Sequence, residues 1–370
     1  MKIAILHVVR LFIVLFLSIS SKHNPDSITI IAGGDINLVS KRPDYIKTNS
    51  LNDNYYFKHI TPVLKRGKIR FCNFEQTVTD RTYKPRPWPG KAYVFMGPGR
   101  HLDIVTKSGF NVINIANNHI MDYGTAGLKH TINALNKREI LWFGAGMNEK
   151  QARKALIVHF KGKRIAFLGY IMRFHPNFHA NRYRAGCPSY MNHNQGRAYI
   201  YQNEITENTE FNFSKDINRI KQFADMIIIS IHFGPEYYTK PSNYQIKTAR
   251  AAIDAGADLV LGHHPHVIQK IERYKGKIIC YSLGNLVFPS YFTDPYVMLL
   301  EFKIGPDMKI YSTRIHPFVV KNRHDFNLCM DDYVMFMPVP AKGRWLKGFS
   351  YMLKQRGTNA YEQNGIFYLK

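Results

Sequence analysis

The sequence is poor in acidic residues and in cysteine. Its 370 residues carry 26 Asp+Glu against 51 Lys+Arg, a formal net charge of +25. Such a surface attracts polyanions, whether nucleic acid, anionic lipid or an acidic polymer. The four cysteines, Cys72, Cys187, Cys280 and Cys329, lie far apart with no CxxC pair, which argues against a zinc knuckle. Cys72 and Cys280 fall inside strand-like runs, where the thiol behaves as a small buried hydrophobe. The chain has no internal repeat and no low-complexity tract, and 45% hydrophobic with 21% charged residues describes an ordinary globular protein. Its length allows one large domain, or one domain with a decorated end.

An apolar run long enough to span a membrane with ease is also missing. "LFIVLFLSIS", residues 11–20, is short for a spanning helix. With Lys2 and Arg10 before it and Ser18 and Ser20 near its end, it has the shape of a secretory signal cleaved after residue 20. Left uncleaved, residues 3–20 would anchor the chain; packed inward, they would form a buried first strand. Residues 1–21 are therefore set apart as signal or anchor, and the protein is expected to be exported or membrane-anchored and extracytoplasmic. Export argues against nucleic acid and leaves acidic glycans, polyacids and membrane surfaces.

What is present is an alternation of strand-length apolar runs with helix-length amphipathic segments. "ITIIAGGD" (28–35), "KIRFCNFE" (68–75), "NVINIANNH" (111–119), "KRIAFLGY" (163–170), "MIIISIHFG" (226–234), "ADLVLGHH" (257–264) and "KIICYSLGNLVF" (277–288) read as strands. Helices are expected at 100–108, 124–139 and 243–255. The pattern predicts a layered α/β fold with a substantial sheet. Residues 80–96, rich in proline, glycine, basic and aromatic side chains, read as an ordered surface loop. The tail beyond about residue 300 reads as an extra layer or a C-terminal subdomain.

Several strands end in a residue with metal-ligand chemistry. Asp35 ends the first, Glu75 the second, Asn118 and His119 the third; His232 ends a later one, and His264 and His266 close the next. In open α/β sheets ligands bind outside the carboxyl ends of the strands. Carboxylate, amide oxygen and imidazole together suit zinc, manganese or iron. Taken singly, each residue has an ordinary explanation: Asp35 a turn, Glu75 a helix cap, Asn118 a turn asparagine, His232 a core histidine. Their joint placement is what favours a metal centre.

The motifs "GGDINLVS", "NFEQTVTD", "NIANNHIMDYGTAGL", "WFGAGMNEKQA", "IHFGPEYYTKPSNYQ", "LVLGHHPHVIQ" and "YSLGNLVF" occur in that order and resemble the CapA-like capsule-synthesis proteins of poly-γ-glutamate biosynthesis. The resemblance runs from about residue 28 to 290. It implies a calcineurin-like metallophosphoesterase fold, a four-layer αββα sandwich over residues 28–300, which residues 301–370 complete or decorate. It also implies a site for two divalent ions (Mn, Zn or Fe). Asp35 matches the first metal-binding aspartate, and Glu75 stands at the bridging position. Asn118 matches a ligand, His119 a supporting or catalytic group, and His232, His264 and His266 the later histidine ligands. Two departures from the wider superfamily are plain: Asn37 replaces the histidine of a D-x-H motif, and the bridge is a glutamate.

Further expectations surround this set. Asn37, His263 and Asn285 are expected behind the ligands, with His263 pointing away from the ions if the segment is regularly extended. Lys84, Arg86, Trp88 and Lys91 of the 80–96 loop, with Glu236 and Tyr237, are candidate contacts to an anionic polymer, poly-γ-glutamate or an acidic polysaccharide. Membrane-bound capsule-synthesis proteins are candidate partners. The expected activity is hydrolysis of a phosphoester or γ-amide bond, with Glu75 and His119 as catalytic groups. A non-catalytic metal-binding scaffold and a phosphodiesterase acting on nucleic acid are the alternatives.

Overall fold

A computed structural model describes residues 27–39, 55–82, 85–172, 175–189, 213–289, 294–321 and 337–370. The expected signal or anchor at residues 1–21 lies outside these, as do Lys84 and Cys329. Among the described residues no helix is long and apolar enough to cross a membrane.

Among the described residues two large sheets stack face to face, beside a two-stranded pair, Thr77–Thr79 with Met96–Pro98. The larger has ten strands; its main path runs Ala360–Gln363, Ile366–Leu369, Ile310–Lys321, Tyr296–Ile304, Ile28–Ile36, Ile69–Phe74, Val112–Asn114, Leu141–Phe143. From Ile28–Ile36 to Leu141–Phe143 the neighbours are parallel, while Tyr296–Ile304 joins the other side antiparallel. The smaller sheet has six strands, and its parallel centre is Lys163–Ile171, Met226–His232, Leu259–His263 and Lys277–Cys280.

Period-2 alternation sorts side chains into layers. Ile28, Ile30, Ile69, Phe71, Met226, Ile228, Leu259 and Leu261 fill the space between the sheets. Ile31, Cys72 and Ile113 face the other way, onto the helices Arg100–Lys107 and Gly124–Lys137 through Leu102, Val105, Leu128 and Leu135. Ala166, Ile227, Ile229 and Val260 meet the helices Phe213–Ile220 and Asn243–Asp254 through Ile217, Ala249 and Ile253. The result is the four-layer αββα sandwich. Phe71 sits at its centre, its ring 6.4 Å from Phe167 and 6.3 Å from Phe143; truncating such a ring to alanine costs roughly 3–5 kcal/mol.

Two features differ from the expected elements. The run at 277–288 is two strands: Lys277–Cys280 lies in the smaller sheet and Asn285–Val287 in the larger. The chain crosses between sheets at residues 281–284, where Gly284 adopts φ +68°, a conformation glycine reaches without strain. An uninterrupted apolar pattern hides such a crossing. The tail is not a separate layer either: Ile310–Lys321 pairs along Tyr296–Ile304, and Met337–Pro340 and Ile366–Leu369 pair with Ile310–Lys321 in the larger sheet.

Candidate metal centre

The alternation that packs the interior also aims the polar residues. Asn73 and Glu75 continue the face of Ile69 and Phe71, His232 continues that of Met226 and Ile228, and His263 that of Leu259 and Leu261. All four therefore meet between the sheets, at the carboxyl ends of their strands. Asp35 would face the outer helices by the same count, because it shares parity with Ile31. A register irregularity between Ala32 and Asp35 turns it inward, opposite Asn73 on one side and Asn285 on the other. The close approach there requires glycine: a Cβ on Gly34 would lie 1.9 Å from the Gly284 carbonyl oxygen.

Asp35 is fully buried and held on both oxygens. Its Oδ1 accepts from Asn73 Nδ2 at 2.9 Å and lies 2.8 Å from His263 Nδ1, and its Oδ2 accepts from the His264 backbone N–H at 3.2 Å. Burial pushes its pKa up, but the His263 hydrogen bond and charge, with His266 and Asn73, outweigh that and hold it below the usual carboxylate value. His263 thus does not point away, as a regular strand count from His264 had suggested; it faces inward and fixes Asp35. His264 escapes the alternation through a backbone φ of +96°, and His266 follows at +58°.

Glu75 is the centre of the cluster. It is fully buried, and neither carboxylate oxygen has a hydrogen-bond partner. Its Oε1 lies 3.5 Å from His232 Nε2, 3.9 Å from His119 Nε2 and 4.0 Å from His266 Nε2. Burial, then the charges of Asp35 and Glu236, push its pKa well above the usual range. Asn118 Oδ1 is 2.9 Å from His232 Nε2, and Asn285 Oδ1 is 2.8 Å from His266 Nδ1. His232 is driven well below the normal histidine pKa by burial and by His264 and His263 beside it. Two overlapping sets, Asp35–Glu75–His232 and Glu75–His264–His266, each place their donor atoms within 4.8 Å of one another, and they share Glu75.

This donor set fits divalent cations. A buried carboxylate with no donor carries a large desolvation cost that an ion between it and neutral imidazoles would offset. Mixed oxygen and nitrogen donors suit zinc, manganese or iron.

Beside the cluster stands a group the sequence reading left unassigned. Asp122 is fully buried; its Oδ2 lies 2.7 Å from His119 Nδ1 and accepts from the Phe95 N–H at 2.6 Å, while its Oδ1 pairs with Lys91. Its backbone carbonyl accepts from Trp88 N–H at 2.6 Å. The spacing of Asp122 three residues after His119 was the available signal. Asn73, two residues before Glu75 on the same strand face, was another missed residue; its own Oδ1 accepts from Asn114 at 3.0 Å and Asn117 at 3.2 Å. Burial pushes the His119 pKa down to about 4.

The proposed polymer contacts divide. Arg86 is exposed. Lys91 is not a surface cation: its ammonium turns inward to Asp122 and to the Asn118 carbonyl, at 2.6 Å. Trp88 packs its ring on Phe178, at 5.3 Å, and His175, at 5.9 Å. Glu236 and Tyr237 are exposed, with the Tyr237 ring 6.0 Å from that of His266. Asn37 is buried, its Oδ1 accepting from the Val39 N–H at 2.8 Å.

Layers and cluster together define the class: a four-layer α/β sandwich with a buried carboxylate–histidine–amide cluster at the carboxyl edge of both sheets. The chain belongs to the bacterial capsule synthesis protein PGA_cap family, whose model matches residues 29–290. It is 34% identical over 268 residues to the capsule biosynthesis protein CapA of Bacillus anthracis, covering 72% of this chain and 61% of that protein. It is 32% identical over 239 residues to the PGA biosynthesis protein CapA of Bacillus subtilis, covering 64% and 57%. The chain thus spans less than two thirds of the length of either relative. Among solved structures, an NAD nucleotidase from Haemophilus influenzae aligns over 89% of this chain and 62% of its own, with 14% identity and a TM-score of 0.43.

Proposed function

We propose that the protein is a divalent-metal-dependent hydrolase acting on an anionic polymer in capsule or poly-γ-glutamate biosynthesis. The reading is carried by Glu75, a buried carboxylate with both oxygens unpartnered, ringed by three imidazoles and shared by two donor sets. Asp35, Asn118, His232, His264 and His266 would complete the ligand shell around one or two ions. Ions bound there supply a water activated at neutral pH and polarise the bond to be cleaved.

The chain's own residues supply the rest. Asp122 Oδ2 accepts a hydrogen bond from His119 Nδ1–H, which leaves the lone pair of Nε2 toward the cluster. With a pKa near 4, His119 is neutral at physiological pH, and its Nε2 is placed to accept a proton from the attacking water and to return that proton to the leaving group. A passive polymer-gripping scaffold would have no use for this oriented histidine, which favours the hydrolase. The exposed Arg86 and Tyr237 offer contacts for an anionic chain. The test is elemental analysis of the purified protein paired with hydrolysis assays on bis(p-nitrophenyl) phosphate and γ-linked glutamate oligomers. Stoichiometric Mn, Zn or Fe with turnover of either substrate is expected; metal without turnover on both would leave the scaffold, and absence of metal would remove the centre.

A further inference from the structure

The loop that carries His264 and His266 is strained. Positive φ at two side-chain-bearing residues so close together persists only where the surroundings enforce it. The upstream part is held by the site itself, through the His264 N–H to Asp35 and the Pro265 carbonyl, which accepts from the Tyr237 N–H at 2.8 Å. The downstream end is held from a different quarter. Arg356, just after the helix Arg344–Gln355, is 7% exposed and donates through Nη1 to the carbonyl of Ile268 and through Nη2 to Asp294. Ile268 is itself fully buried, two residues past His266. Near it, Thr358 Oγ1 accepts from the Ile271 N–H at 3.0 Å.

Both arms of the guanidinium are therefore used: one grips the end of the histidine loop, the other anchors on a carboxylate just before the strand Tyr296–Ile304. A planar fork can hold two partners in fixed directions at once, which a lysine ammonium does less well. Arg356, Asp294 and Thr358 all lie beyond residue 290, outside the span that defines the family.

We propose that Arg356 is a positioning residue for the metal centre, a strut that keeps the 264–268 loop in its strained form so that both imidazoles face Glu75. This rests on the reading of the cluster as a metal centre. The experiment is Mn2+ titration calorimetry on the full chain, with urea unfolding of each metal-free protein measured in parallel. Arg356→Met is expected to bind Mn2+ about 10–100-fold more weakly, the range for residues that orient metal ligands, and Arg356→Lys to recover part of the loss. Thr358→Ala, which loosens the same C-terminal segment without touching the Ile268 carbonyl, is expected to lower stability but leave Mn2+ affinity as in the wild type. Should Arg356→Met not fold, Asp294→Asn keeps the arginine and frees only its anchor, and a several-fold weaker affinity is expected. Wild-type affinity in Arg356→Met, or in Asp294→Asn where only that variant folds, overturns the strut. So does a loss in Thr358→Ala equal to that in Arg356→Met. A wild-type chain that binds Zn2+ or Fe2+ but not Mn2+ has its variants compared with that ion, and one that binds none of the three overturns the metal reading before any variant is compared, and the strut with it.

Discussion

Two buried glutamates show how differently one residue type is treated in the two halves of the larger sheet. Glu301 lies on Tyr296–Ile304, in the antiparallel half, and is 1% exposed. His316 Nε2 sits 2.8 Å from it, Arg314 Nη1 and Lys303 Nζ each at 3.2 Å. Burial alone would raise its pKa, but His316, Lys303 and Arg314 hold it at about 2. Glu75, at the end of a strand in the parallel half, is equally buried, has no donor on either oxygen and is pushed well above the usual range. Native interiors satisfy nearly all their buried polar atoms. A carboxylate that the protein could have paired, as it pairs Glu301, and did not, belongs to a group of residues that could hold a cation from outside.

The comparison can be broken at either end. The largest effect is expected at the unpaired site: Glu75→Gln and His264→Ala should each lose bound metal while the circular dichroism of the fold persists. In chelator, Glu75→Gln should melt no lower than the wild type, because the carboxyl it replaces is buried with no hydrogen-bond partner on either oxygen. Full metal content in either variant would count against the centre. At the paired site the signs reverse. Glu301→Gln should cost about 2 kcal/mol in urea unfolding, since it weakens charge-assisted hydrogen bonds to the partly buried Lys303 and Arg314, with metal content untouched.

The pH dependence sharpens the same contrast. A folded-state pKa depressed to about 2 means that the contribution of Glu301 is complete above the ordinary value of 4.5 and is lost as pH falls from there toward 2. Acid unfolding of Glu301→Gln should be correspondingly flatter over that window. A smaller effect is expected at Asp122. Asp122→Asn should lower hydrolysis about 10–100-fold at unchanged metal content, by releasing His119 and Lys91. The smallest belongs to the exposed Arg86: Arg86→Ser should weaken polyglutamate binding by about two- to three-fold at low salt, with the difference vanishing as salt screens it.

Much of the layered fold was legible because alternating apolar runs leave few other arrangements. The ligand-type residues were legible because they recur at the same end of successive strands. What escaped has physical reasons. Asp35 faces inward through a register irregularity that no count of alternation contains. His263 was misjudged because the strand's alternation stops at His264, where the backbone turns to positive φ. Lys91 reads as one more cation in a basic loop until Asp122, 31 positions later in the chain, is seen to receive it. Arg356 carried no signal at all, since its partner Ile268 contributes only a backbone carbonyl.

By itself, then, the order of residues determined the alternation that makes two sheets and the chemistry available at their edge, because period and side-chain type are local properties. Only the tertiary structure decided which carboxylate is paired and which is left open. That outcome depends on donors brought in from distant strands and loops, and burial raises the cost of leaving any one of them out.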